Sequence, residues 1–475
     1  MRKDLGTWWL VLASLFFYGW WNPVYLWFIG LSMAFNFSLA RRFEALRASG
    51  SVRGLRSLLT LGVGANLGFL GWFKYADFFI ENVNALAATS VPLLGIVLPL
   101  AISFFTFQQI AYLVDAYRGE TQEHSALHYC LFVCFFPQLI AGPIVHHKEI
   151  LDQFEARQDS RLHPSHLAVG GTLFFLGLFK KTVLADGVAQ LVGPVFDAAR
   201  DGVVLSLYEA WQGTLAYTLQ IYFDFSGYSD MAIGLGFLFG VRLPLNFHSP
   251  YKATSIVEFW RRWHITLSRF LRDYLYIGLG GNRRGKARRY LNLLLTMVLG
   301  GLWHGAAWTF VIWGALHGLY LVLNHAWAGL QKRLGVDLLP GPVGRVGAVA
   351  MTFLAVVISW VFFRAEGVST AWSMLRSMSG HADLAAYANN LLPSGHAGFF
   401  GIAALLAVVF FAPNSHQLLG EHQPALEDHL TAQDGGRAWG PRWSPRPAWA
   451  GVMAAVAVVA VMFISRQSEF LYFRF

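Results

Sequence analysis

Three places in this sequence put ionisable side chains where little else is polar. His304 lies in the run Gly300-Gly301-Leu302-Trp303-His304-Gly305, His264 follows Arg261-Arg262-Trp263, and Asp224 and Asp230 flank Phe225-Ser226-Gly227-Tyr228-Ser229. An imidazole among apolar residues can take a proton and return it near neutral pH, which suits general acid/base work. The bland alternative is a neutral ring bonded to a carbonyl of the next helix, because a neutral imidazole is far less costly to bury than a charge. The glycines at 300, 301 and 305 weigh against it: they leave room for a second molecule, or let a neighbouring helix come close. His317 and His325 read as packing or interfacial residues, since thirteen residues at ~100° each turn His317 about 140° away from His304 on a continuous helix. Asp224 and Asp230 are roughly 120° apart on a straight helix, which argues against a paired-carboxylate acid/base site. A helix break at Gly227, with Asp224, Ser226 or Ser229 capping the restart, is the structural expectation for that stretch.

The elements that hold these residues are apolar. Of 475 residues 55% are hydrophobic, 16% aromatic and 13% charged, against roughly 25% charged in an ordinary soluble domain. Apolar runs recur at 5–21, 24–40, 58–73, 91–112, 127–144, 167–179, 203–225, 290–324, 346–363, 396–412 and 449–464. Most approach the roughly 20 residues that a helix needs to cross a ~30 Å hydrocarbon layer. The fold class is therefore an all-α integral membrane protein with roughly 10 to 13 transmembrane helices. The first run ends in Trp20-Trp21-Asn22-Pro23 in place of a small-residue cleavage site, so it reads as a retained span.

Net charge is +9, and the basic residues cluster in 41–56 and 251–290. Basic stretches between spans mark the cytoplasmic side, and topology explains them better than nucleic-acid binding does. Within the second cluster, residues 258–281 alternate Phe259, Trp263, Ile265, Phe270, Tyr274 and Ile277 with Arg261, Arg262, Arg269 and Arg272. That is too much charge for a span in lipid, and it fits an amphipathic helix at the cytoplasmic interface or one re-entering among protein. Residues 146–166 read as a soluble or interfacial helix, and 413–447 as an extended loop of low structural content. Cys130 and Cys134 share a helix face as small core residues. There is no nucleotide loop, HExxH, CxxC or GxSxG pattern, and no metal site is expected.

Seven stretches are familiar: SFFTFQQIAYLVDAYRGE (103–120), FPQLIAGPI (136–144), FLGLFKKTVLADG (175–187), AYTLQIYFDFSGYSDMAIGLG (216–236), EFWRRWHITLSRFLRDYLYIGLGGN (258–282), NLLLTMVLGGLWHGAAWTFVIWGALHG (292–318) and FLYFRF (470–475). With them the chain resembles the membrane-bound O-acyltransferase family, and within it the branch that acetylates alginate. The resemblance implies a single membrane domain over 1–475, with a catalytic core at about 103–365, a variable loop at 413–447 and one N-terminal span fewer than other members. It implies a ring of helices around a thinned centre, pierced by a tunnel that brings a cytoplasmic acyl donor to a histidine in mid-membrane. The family's catalytic histidine falls on His304, and its second motif position on His264.

The expected donor is acetyl-coenzyme A, a substrate in place of any permanently bound cofactor, and Arg261, Arg262, Arg269 and Arg272 stand where its phosphates would arrive. His304 would take the acceptor's proton while His264 orients it or donates a hydrogen bond to the oxyanion. A path to His304 is expected to open on the cytoplasmic side near the arginines of 261–289. The resemblance further implies a bacterial inner-membrane location, periplasmic O-acetyltransferase partner proteins and an exopolysaccharide acceptor. Peptidoglycan, cellulose and teichoic acid D-alanylation are the alternative acceptors, and a non-catalytic transport or scaffold component is the alternative class.

Overall fold

The computed structural model describes residues 2–121, 125–156, 163–335, 341–381, 395–426 and 441–465. In chain order the helices used below are α1 (Arg2–Trp21), α2 (Tyr25–Ala48), α3 (Val52–Ala87), α4 (Ile102–Arg118), α5 (Ala126–Cys134), α6 (His147–Ala156), α7 (Pro164–Phe179), α8 (Leu207–Leu238), α9 (Ile256–Arg262), α10 (Ile265–Phe270), α11 (Gly285–His304), α12 (Trp308–Leu334), α13 (Gly341–Arg364), α14 (Gly395–Phe411) and α15 (Pro447–Met462). Among the described residues there is no β-ladder beyond one isolated bridge, Pro244 to Leu426. The expected helical class is therefore what the chain adopts.

Contacts divide the chain into two compact units. The first is drawn from Met1–Gly171, Ala232–Pro244 and Pro424–Leu426, the second from Thr172–Met231, Leu245–Gln423 and Glu427–Phe475. In the first unit, polar side chains join helices whose other faces are apolar. Asn36 on α2 and Asn66 on α3 exchange amide hydrogen bonds of 2.7 and 3.2 Å, and the Tyr129 hydroxyl of α5 donates to Gln109 of α4. Each bond satisfies a group that would otherwise be buried without a partner. Trp9, Trp20 and Trp27 stand exposed on α1 and α2. The helix expected near 146–166 is α6; residues 157–162 lie outside the described residues, as do 427–440 and the 470–475 motif. Within 413–447, Asn414 caps the short helix Ser415–Leu418 reciprocally with Gln417.

In the second unit two expectations are corrected. Helix α8 runs unbroken through Gly227. A Cβ at Gly177 of α7 would fall on the carbonyl oxygen of Gly227, so the glycine serves close helix contact instead of a break. The run 290–324, read as one continuous helix, is a hairpin: α11 ends at His304, and α12 begins at Trp308. No proline marks that bend. A Cβ at Gly301 would fall on the carbonyl oxygen of Phe310 and 3.2 Å from Gly314 Cα, so two small residues let the backbones of α11 and α12 nearly touch. Of the two roles open to these glycines, Gly301 takes that of close helix approach.

Among the described residues two helices are long and apolar enough to cross a bilayer, Pro164–Ala189 and Gly341–Arg364, and Gly398–Phe411 and Pro447–Met462 are shorter and apolar. The first continues α7 through a π-helical turn, Lys180–Ala185. Both cysteines are free thiols.

Candidate active site

His304 is the last residue of α11, at the mouth of the hairpin, and is 7% exposed. Aromatic rings surround its imidazole: centroids of Trp303, Trp313 and Phe363 lie at 4.9, 5.2 and 5.1 Å, each close to edge-on. His264 is a further neighbour, at 6.4 Å. The sequence's two candidate imidazoles, forty residues apart, thus lie side by side, both buried.

His264 sits between α9 and α10 in the left-handed region, φ 43°, a conformation that costs a non-glycine residue roughly 1–2 kcal/mol. Two backbone bonds hold it there: the His248 amide donates to the Arg262 carbonyl, and the Ile265 amide to that of Asn246. The Nδ1 of His264 is 3.1 Å from Asn246 Oδ1, and its Nε2 is buried with no hydrogen-bond partner among the described residues. Phe225 closes over the ring at 4.7 Å.

His317, by contrast, is fully satisfied. Its Nδ1 accepts from Trp260 Nε1 at 3.2 Å. The Ser359 hydroxyl already donates to the Val356 carbonyl, so His317 Nε2 donates to Ser359 Oγ at 2.9 Å. The packing role expected for His317 therefore stands, but the angular argument for it does not. The bend at 305–307 brings it under the same indole, Trp313, that touches His304. His325 is partly exposed on α12.

The aspartates are neither caps nor a pair. Asp224 Oδ1 is 2.8 Å from Lys181 Nζ, which also meets Asp186 at 2.6 Å. Asp230 binds Lys180 Nζ at 2.6 Å, His416 at 3.1 Å and the Ser415 hydroxyl. The π-helical turn gives two consecutive lysines separate aspartate partners on α8. A cavity of about 190 Å³ adjoins this network, lined by Phe179, Lys180, Tyr222, Phe223, Asn414 and Ser415 among others; neither His304 nor the four arginines line it.

Those arginines differ in what they can offer. Arg262 is held by Glu258 at 2.9 Å and by the His248 carbonyl, and Arg272 by Asp273 at 2.7 Å. Arg269 is half-buried, whereas Arg261 is exposed. Burial raises the Glu258 carboxyl pKa, but bonds from the Thr254 hydroxyl and amide and the charge of Arg262 outweigh it, leaving the group below its ordinary value. Asn246, Lys180 and Lys181 went unread in the sequence. For the lysines a signal existed, since two cations in an apolar run need two anions elsewhere.

The profile of the membrane-bound O-acyltransferase family matches residues 115–363, a stretch that holds both histidines and all four arginines. The chain is 45% identical to a peptidoglycan O-acetyltransferase of Helicobacter pylori over 78% of its own length and 73% of the relative's. It is 44% identical to a probable alginate O-acetylase AlgI of Pseudomonas aeruginosa, covering 78% and 69% of the two chains. A probable alginate O-acetylase AlgI of Pseudomonas putida is 39% identical over 98% of this chain and 94% of its own.

Proposed function

The chain belongs to the membrane-bound O-acyltransferase family, and from that premise we propose that this acyltransferase moves an acetyl group from acetyl-coenzyme A to a polysaccharide hydroxyl, with His304 as the general base. The observation that carries the reading is the meeting of His264 and His304, both buried among aromatic rings. In the transfer, the acceptor's oxygen attacks the thioester carbonyl as His304 takes the hydroxyl proton. The C–O bond forms, the C–S bond breaks, and the departing thiolate takes the proton back from His304. The apolar walls strengthen every electrostatic interaction made inside them.

The donor's phosphates are assigned to the basic segment. Arg261 is the foremost contact, being exposed; Arg269 is half-buried, and Arg262 and Arg272 already engage carboxylates. The donor's path is taken to open on that face. The wider architecture proposed is a polytopic bundle of 10 to 13 spans around a tunnel, in a bacterial inner membrane; exposed tryptophans on α1 and α2 support a lipid setting for helices beyond the two long apolar ones. Periplasmic O-acetyltransferase proteins are the proposed partners. An exopolysaccharide such as alginate is the acceptor favoured, because an alginate O-acetylase relative matches this chain nearly end to end; peptidoglycan, named by the relative at 45% identity, is the second.

The test is release of free thiol from acetyl-coenzyme A, and acetyl transfer to polymer, by the purified chain. His304→Ala and His304→Gln should abolish both while membrane insertion is kept, and near-normal transfer by either variant would refute the assignment.

A further inference from the structure

Asn246 is buried and every polar atom of its side chain is used. Its Oδ1 accepts from the Thr266 amide at 3.3 Å and the Thr266 hydroxyl at 3.0 Å, and its Nδ2 donates to Ser229 Oγ at 3.2 Å. A backbone N–H can only donate, so the atom facing Thr266 is the amide oxygen, which settles which way the side chain points. That oxygen is also the neighbour of His264 Nδ1 at 3.1 Å. An oxygen without a proton obliges Nδ1 to carry one. In the neutral ring the remaining nitrogen, Nε2, then bears a lone pair, and it is Nε2 that is buried without a partner in the chain.

We propose that Asn246 is a positioning residue of the transfer reaction, fixing His264 as the Nδ1-protonated tautomer so that Nε2 offers the reactants a lone pair. The inference rests on reading His264 and His304 as the reacting pair. It corrects one role the sequence allowed: neutral His264 in this tautomer has no proton at Nε2 to donate to an oxyanion. It acts instead as an acceptor. The ring centroids of His264 and His304 lie 6.4 Å apart, so an O–H of the reactants that donates to His264 Nε2 is held next to the base. Asn246 also holds the strained backbone of this turn through its own carbonyl, so one residue sets both the position and the proton of His264.

The test compares the whole chain with Asn246→Ala and Asn246→Asp, with His304→Gln as reference. Asn246→Ala removes the acceptor for Nδ1, and kcat should fall about tenfold to a hundredfold with KM for acetyl-coenzyme A little changed. Asn246→Asp keeps an acceptor oxygen and adds charge. It should retain more activity than the alanine variant and move the acid limb of the kcat profile upward by about one pH unit or more, because a carboxylate beside an imidazole favours the protonated ring. The rings around His264 are Phe225, Phe247, Trp303 and His304. His304 is the one titratable group among them, and nitrogen-15 NMR titration of the His264 ring in Asn246→Asp with and without His304→Gln, which needs no turnover, identifies its share of the shift. A purely structural Asn246 predicts equal losses in both variants and an unmoved acid limb, and that result would overturn the proposal. Should both variants fail to fold, nitrogen-15 NMR of histidine-labelled wild-type chain, assigned by difference against His264→Gln, decides it: protonation at Nδ1 supports the proposal, and protonation at Nε2 sinks it. Full transfer by His304→Gln would instead remove the functional reading beneath it.

Discussion

Replacing Gly301 by alanine adds a single methyl group, and the two-helix hairpin has no place for it. The new Cβ would fall on the carbonyl oxygen of Phe310 and 3.2 Å from Gly314 Cα. Ordinary carbon contacts need about 3.5–4.0 Å, and both neighbours are backbone, so α11 and α12 must separate by something near 1 Å. Overpacking of this kind costs about 1–3 kcal/mol. With His304 as the proposed base, the larger effect falls on chemistry, because His304 is three residues further along α11 and moves with it; a displacement of about 1 Å can cost on the order of a hundredfold in rate. Gly300→Ala is the matched control. There the nearest atom is the Leu271 Cδ1 methyl at 3.1 Å, the movable end of a side chain, and alanine favours the helix by up to about 1 kcal/mol. Thermal unfolding of detergent-purified protein, together with thiol release from acetyl-coenzyme A, reads both effects. Gly301→Ala with wild-type stability and rate, or Gly300→Ala equally damaged, would show that the close approach of α11 and α12 does not position His304.

Two further outcomes follow from the charged groups. Lys181→Met leaves Asp224 and Asp186 without their shared cation and should destabilise the chain by about 3–5 kcal/mol; adding Asp224→Asn should recover part of that in denaturant unfolding, and no recovery would mean the ion pair is not what was lost. Glu258 binds a proton less readily in the folded chain than in the unfolded one, so its stabilisation is present above its ordinary value of 4.5 and is lost as pH falls through the lower folded value. Unfolding measured down the acid range should therefore be less pH-dependent in Glu258→Gln, and an unchanged slope would contradict the bonding described for this residue.

What could be read in advance, and what could not, follows from the range of the interactions. His304 and His264 stand out in the sequence because each is an imidazole in an apolar setting. Their meeting depends on the order in which α9, α10 and α11 fold back, which spacing alone does not give. The bend after His304 was hidden because Gly305-Ala306-Ala307 is as apolar as its flanks and lacks proline, so the rotation computed for His317 assumed a helix that is not there. Asp224 and Asp230 looked solitary because their lysines lie on another helix, Lys180 standing 50 positions from Asp230. Asn246 gave no signal at all: an asparagine in Leu243-Pro244-Leu245-Asn246-Phe247 reads as a loop residue until His264 is placed beside it.

The lysine pair on the π-helical turn also sets an order of events during biosynthesis. Lys180 and Lys181 leave the ribosome before α8 exists, and Asp230 follows Lys180 by 50 residues. At about 5–20 residues per second that is roughly 2.5–10 seconds, during which Lys180 lacks its carboxylate partner on α8. A helix so charged is a poor candidate for release into lipid on its own, so α7 is expected to wait beside the insertion machinery until α8 arrives. Ser415, 235 positions after Lys180, joins long afterwards, which makes the cluster a late lock on an assembly already begun.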